Sequence, residues 1–160
     1  MIHKSLLLIL AVVFSGLTAF SQKEYHYDYY ADGTVKAEGW LNDGVKVDFW
    51  HFYYPNGIVS KEGHFKNNKK HGYWYYYSKT KELVKEGHFI DDKAEKWWII
   101  YDIAAGITRK YQYKNNKKEG YCLLYRNSKL FKAERYVNDI KTGEWTDVFS
   151  FKRDNPNASL

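Results

Sequence analysis

A single cysteine, Cys122, leaves no internal disulfide to form, so a stapled scaffold is excluded and stability must come from packing and hydrogen bonds. Two prolines, 44% hydrophobic and 28% charged residues argue against a disordered tail and describe one ordinary domain of 160 residues rather than a multidomain enzyme. No apolar run spans a bilayer comfortably, since Ser5 to Leu17 is too short. After residue 21 no segment carries a helical period. No Gly-rich phosphate loop therefore opens a helix, and Ser60, Ser78, Ser128 and Ser150 stand in no nucleophile elbow. Acidic residues number 19 against 25 Lys and Arg, a modest excess of +6. What the chain has in abundance is aromatic rings: 16 Tyr, 9 Phe and 6 Trp.

Residues 1–21 read as a secretory leader, with Lys4 before the apolar run and Thr18-Ala19-Phe20-Ser21 after it. Cleavage after Ser21 places the small residues Ala19 and Ser21 where signal peptidase requires them. Cys122 is far from that junction, so no lipid is attached through an N-terminal cysteine. The reading predicts a chain exported to the periplasm or medium, not transmembrane after cleavage, with a repeat domain over 22–151 and a tail over 152–160.

A period of 24 residues organises the rest. Leu41, Phe65, Phe89, Tyr113 and Val137 hold it, as do Trp50, Trp74, Trp98 and Cys122. Gly39, Gly63 and Gly87 continue in phase as Tyr111 and Arg135, and Tyr53, Tyr77, Tyr101 and Tyr125 form a further column. Each unit holds two alternating runs separated by turn residues such as Asp32-Gly33 and Asn56-Gly57, where both central residues of a two-residue loop need φ > 0. One unit is one hairpin. The predicted fold is all-β, a single-layer extended antiparallel meander of about five hairpins and ten or eleven strands, roughly 50 Å long at ~4.8 Å per strand.

A turn on Asn56-Gly57 sets Trp50 opposite Gly63, and a connection centred between Asn68 and Lys69 sets Gly63 opposite Trp74. The row then runs Gly39, Trp50, Gly63, Trp74, Gly87, Trp98, each ring lying over the bare backbone of a glycine. These are the structural repeat positions. One face collects Val35, Ala37, Leu41, Trp50, Phe52, Val59, Phe65, Trp74, Phe89 and Trp98 and is apolar. The other is aromatic but wettable, and supplies the candidate interaction surface: Trp40, His51, Tyr53, His64, Tyr73, Tyr75, Tyr77, His88, Trp97 and Tyr101.

The stretch Tyr53-Tyr54-Pro55-Asn56-Gly57 through Lys61-Glu62-Gly63-His64-Phe65 to His71-Gly72-Tyr73-Trp74 resembles the MORN-repeat variant family, with its "YY-NG-KEG-F-NGK-HG-W" pattern. The resemblance covers residues 25–151. The first three copies match; later ones replace the strand glycine with Tyr111 and Arg135 and a tryptophan with Cys122. It implies an extended β-meander used for protein or membrane-lipid contacts, and an antitoxin-like or immunity-type role, a label some bacterial members carry, is an alternative.

No enzymatic chemistry is read from the residues, and no cofactor or metal is expected. His64 and His88 stand one hairpin apart, ~10 Å by strand spacing, too far to share an ion. Glu38, His51 and Glu62 are cross-strand neighbours, a trio that could hold a divalent metal but reads first as an ion-pair row. Cys122, in a Trp column, reads as a buried inert thiol. The turns alternate in charge, Lys66 to His71 basic and Asp91 to Glu95 acidic, so no stripe for nucleic acid forms there. The expected function is a non-enzymatic scaffold binding an envelope or secreted protein through the aromatic face, with a glycan or lipid headgroup as the alternative ligand. Oligomeric state is left open by two unpaired sheet edges.

Overall fold

The computed structural model describes residues 22–158, so the predicted leader lies outside the described residues. Eleven strands follow in chain order: β1 (Lys23–Tyr29), β2 (Val35–Asn42), β3 (Val45–Tyr53), β4 (Val59–Lys66), β5 (Lys69–Tyr77), β6 (Leu83–Ile90), β7 (Lys93–Asp102), β8 (Ile107–Lys114), β9 (Lys117–Arg126), β10 (Lys129–Val137) and β11 (Ile140–Trp145). Each pairs antiparallel with its chain neighbours, giving one open sheet in the order β1 to β11. The predicted all-β, single-layer meander is the observed fold.

Two kinds of connection alternate. At one end of the strands lie two-residue turns, Asp43-Gly44, Asn67-Asn68, Asp91-Asp92, Asn115-Asn116 and Asn138-Asp139, all with positive φ at both residues. Asn and Asp accept that conformation at least cost after Gly, which is why these turns tolerate so few glycines. At the other end, Asn56-Gly57 is not a two-residue turn. The loop runs from Tyr54 to Ile58, Gly57 N–H donates to the Tyr54 carbonyl, and only Gly57 has positive φ, at +78°. Pro55 and Asn56 make the bend and Gly57 returns the chain to the strand. Asp32-Gly33 behaves alike, with Gly33 alone at positive φ.

The expected Gly–Trp register is present: Gly39 pairs with Trp50, Trp50 with Gly63, Gly63 with Trp74, Trp74 with Gly87 and Gly87 with Trp98. The route to it differs. The β4–β5 turn is centred on Asn67-Asn68, and pairing steps from His64↔His71 to Gly63↔Trp74, so Gly72 and Tyr73 form a two-residue bulge. Asp48, Gly72, Lys96 and Gly120, 24 residues apart, all have positive φ at this bulge. In the first three bulges the indole N–H caps a backbone carbonyl beside the bulge: Trp50 donates to Trp40 O, Trp74 to His64 O and Trp98 to His88 O, each at 3.1 Å. A Cβ built on Gly39, Gly63 or Gly87 would lie 2.3, 2.5 or 2.1 Å from the tryptophan ring. These glycines are required by contact with the ring.

Three expectations are corrected. First, the single-residue bulges beside the longer loops turn Val35 and Val59 onto the opposite face: Val35 pairs with Tyr29, and Val59 lines a shallow depression with Glu62 and Tyr77. Second, Arg135, read as continuing the strand-glycine column, stands opposite Tyr121, and Cys122 faces Glu134, because the β9–β10 connection is only Asn127-Ser128 and the extra residue is absorbed between Leu130 and Lys132. Third, a helix does occur, α1 (Val148–Asp154), capped by the Asp147 carboxylate, which accepts from the Ser150 amide at 2.8 Å. Seven residues are too few to show a period. The boundary placed after residue 151 falls inside this helix, and Phe151, buried in it, packs with Leu123, Ala133, Tyr121 and Trp145.

Trp50 and Trp74 are 0% exposed in a sheet without a second layer on that side. Below each ring is glycine backbone and beside it are Phe52, Phe65, Tyr76 and Phe89. Above lie lysine side chains: Lys46 Nζ stands 4.1 Å from the Trp50 ring, Lys61 4.7 Å from Phe52, Lys70 4.8 Å from Phe89, Lys85 4.5 Å from Tyr76 and Lys118 4.3 Å from Tyr111. The face read as plainly apolar is therefore a layer of rings roofed by lysine stems, which bury apolar area while their ammonium groups stay near water.

Candidate functional site

The opposite face is built in three rows that cross the strands. Nearest the two-residue turns is an aromatic stripe: Tyr25 meets Trp40 edge-on at 5.0 Å, Phe49 meets His64 at 4.9 Å, and Tyr73 meets His88 at 6.3 Å, with Trp97 following on β7. Trp40, Tyr73 and Trp97 are each more than a third exposed. Tyr25, Tyr27 and Tyr29 on the edge strand are more exposed still. Among the described residues, every Tyr or Trp that is exposed belongs to this face. The bulge frames the stripe: Phe49, Tyr73 and Trp97 are unpaired with the preceding strand, once per repeat, while they pair with His64, His88 and Gln112 on the following one.

The middle row runs Tyr27, Glu38, His51, Glu62, Tyr75, Glu86. His51 Nε2 lies 3.4 Å from Glu62 and Nδ1 3.9 Å from Glu38, and Nδ1 makes no hydrogen bond. Among the described residues no group of His, Cys, Asp and Glu is arranged to hold a metal ion. His51 lies between two carboxylates, each of which is also claimed from the next row.

That next row is Tyr53, Tyr77 and Tyr101. Their hydroxyls donate to Glu38, to Glu62 at 2.6 Å and to Glu86 at 2.5 Å, each reaching back 15 residues. Burial first, and the adjacent carboxylate second, raise all three phenols far above their ordinary value. In the fourth repeat Lys110 replaces the glutamate, and its Nζ stands 5.1 Å from the Tyr125 ring instead. These tyrosines are tethers within the sheet, whereas the stripe residues have rings free to meet another surface.

The ten residues named from the sequence thus divide. Trp40, His64, Tyr73, His88 and Trp97 share the stripe; His51 and Tyr75 lie in the charged row; Tyr53, Tyr77 and Tyr101 are tied to glutamates. His88 is held below the usual imidazole range by burial, then by Lys96 and His71. Sequence reasoning missed Tyr25, Tyr27, Tyr29 and Phe49, although Phe49, Tyr73 and Trp97 keep the 24-residue step. Cys122 is buried, its thiol pushed up to about 12, chiefly by burial and then by Glu134.

At the far end the same face is covered. Tyr121, one repeat after Trp97, donates its hydroxyl to Asn155 at 3.0 Å and packs on Phe151, while Trp145 donates to Asp154 at 2.9 Å. The open part of the stripe ends where α1 begins. Among the described residues no helix is long and apolar enough to cross a membrane. No family model matches the chain, and no curated protein matches it.

Proposed function

We propose that this chain is an exported, MORN-like, non-enzymatic repeat scaffold that holds a protein partner on the aromatic stripe. The observation that carries the reading is the segregation of exposed rings: Trp40, Tyr73 and Trp97 lie on one face, in one line, interleaved with His64 and His88. Rigid rings on a sheet give contact area at little cost in side-chain entropy, and Trp and Tyr are the residues that most often anchor protein interfaces. The α1 helix seated on Tyr121 and Leu123 supports it further, because it is a peptide segment already docked on the same face.

The test is site-specific photocrosslinking in the native envelope. A photoreactive phenylalanine at Trp40 or Trp97 should capture one discrete protein, and the same group at Lys61, on the opposite face, should not. Tyr73→Ala should weaken capture without lowering Tm, whereas Tyr77→Ala would also break the tether to Glu62. Crosslinks only to glycan or lipid, or none, would overturn the proposal.

A further inference from the structure

The lysine roof of the other face has a property that packing alone does not require. Lys46, Lys61, Lys70, Lys85 and Lys118 stand over the rings, and among the described residues none of them is in an ion pair. Further along, Arg109 meets Asp102 at 3.5 Å, and Lys132 meets Glu144 at 2.9 Å and Glu134 at 3.3 Å, while Lys118 on β9 stays unpaired over Tyr111. Lys46, Lys61, Lys70 and Lys85 form the unpaired group over β3 to β6. Burial holds the Lys61 ammonium below its ordinary range, and Lys70 and Lys46 depress it further. Lys70 is also held below its ordinary range, by burial, while the attraction of Asp92 outweighs the repulsion from Lys85. Unpaired ammonium groups gathered on one face offer an anion from outside a set of partners.

Geometry narrows its kind. Lys46 and Lys70 form one row, Lys61 and Lys85 another, on either side of the tryptophan line, because Lys70 pairs with Phe65 while Lys61 lies two residues to the other side of Gly63. Within each row successive ammonium groups are two strands apart, about 10 Å. Duplex DNA advances one phosphate per strand for about every 3.4 Å of helix axis, a third of that interval, and the indoles beneath are buried, so no base can stack on them. A lipid surface has mobile headgroups and no period to match. A linear polysaccharide with one acidic group per disaccharide presents its charges at an interval close to this one.

We propose that the lysine-covered face binds a linear acidic polysaccharide laid across the strands, with Lys46, Lys61, Lys70 and Lys85 as its counterions. The sheet then joins two ligands, one on each face. Calorimetry of the full chain with a hyaluronan decasaccharide, which bears one carboxylate per disaccharide, tests it at low salt. Binding is expected, weakening as salt is raised. Lys61→Gln with Lys85→Gln should reduce affinity by roughly tenfold or more, the loss of two charge-assisted contacts. Lys46→Gln with Lys70→Gln should do the same, and glutamine keeps two of the four stem methylenes that roof the rings. Trp40→Ala, on the other face, should change nothing. In the unmodified chain, bound decasaccharide should shield Lys61 and Lys85 from acetylation, which needs no variant to fold. The proposal is overturned if the decasaccharide fails to bind, if the lysine pairs can be removed without loss, or if an oligothymidylate or phosphatidylglycerol vesicles bind as tightly.

Discussion

Replacing Gly63 with alanine tests the central packing argument, because one methyl group enters a place the geometry says is full. The new Cβ would lie 2.5 Å from the Trp74 ring, against a normal carbon contact of about 3.5 to 4 Å. Trp74 must lift by roughly 1 Å or more. It is fully buried, it donates to His64 O at 3.1 Å, and it meets Phe65 edge-on at 5.1 Å, so each of these contacts is strained together. Overpacking costs about 1–3 kcal/mol, and a freed carbonyl about 1–3 kcal/mol more. Alanine regains about 0.5–1 kcal/mol of backbone entropy relative to glycine in a strand. The net expectation is a loss of about 2–4 kcal/mol, or roughly 10 °C in Tm for a chain of this size. Urea unfolding followed by tryptophan fluorescence reads it, and Trp74→Leu in the same chain should recover part of the loss because the clash is then relieved. A Gly63→Ala variant as stable as the parent would refute the reasoning.

Three further outcomes follow from other parts of the sheet. Raising pH should unfold the protein from about pH 10 upward: Tyr53, Tyr77 and Tyr101 have raised folded-state values, so their stabilisation is complete below the unfolded value near 10 and is lost as pH climbs toward the folded one, with Tyr76 and Tyr111 held at about 12. Tyrosinate absorbance should then rise in step with loss of circular dichroism, and phenols titrating near 10 in a sheet that stays folded would contradict this. Lys96→Gly should raise stability by about 0.5–1 kcal/mol in denaturant titration, since Lys96 sits at φ +61° in the bulge where Gly72 and Gly120 stand in neighbouring repeats. Phe151→Ala should cost about 3–5 kcal/mol of local stability and release α1, seen as fast amide exchange at Tyr121 and Leu123 with β1 to β7 unaffected.

The meander was legible because the columns through Trp50 and Gly63 hold over three successive units before they lapse at Tyr111 and Cys122, and the pairing of ring with glycine follows from contact alone. The bulge was less so. Its column reads Asp48, Gly72, Lys96, Gly120, four residues of unlike chemistry united only by backbone conformation. Missing it displaced the β4–β5 turn by one residue without disturbing the Gly63–Trp74 pair, since two extra residues compensate. Val35 and Val59 were misassigned for a related reason, as alternation counts residues and cannot see a single residue dropped from the ladder. The stripe was half visible: Trp40, Tyr73 and Trp97 were named, but Tyr77 and Tyr101 were grouped with them although their hydroxyls belong to Glu62 and Glu86. The lysine roof escaped notice because Lys46 and Lys61 read as ordinary surface charge until the rings beneath them are placed.

The two kinds of irregularity explain how one sheet keeps two unlike faces over eleven strands. Pleating sends alternate residues to opposite sides, so an insertion of one residue exchanges faces and an insertion of two preserves them. The bulge at Gly72-Tyr73 takes up two residues. Lys70, on the turn side of the bulge, therefore remains on the side of Trp74, and the rows of Lys46 with Lys70 and Lys61 with Lys85 converge over the same rings. The single-residue bulges in β2, β4 and β6 lie at the loop ends, where they move Val35, Val59 and Leu83 and leave Lys61 opposite Phe52 and Lys85 opposite Tyr76. Parity is thus kept over β2 to β6, which keeps Glu38, Glu62 and Glu86 with the tyrosines and Lys46, Lys61, Lys70 and Lys85 with the tryptophans. A repeat under selection for folding alone would need the glycine and the tryptophan in step; keeping lysine and glutamate on opposite sides as well is what a sheet offering a different surface on each side requires.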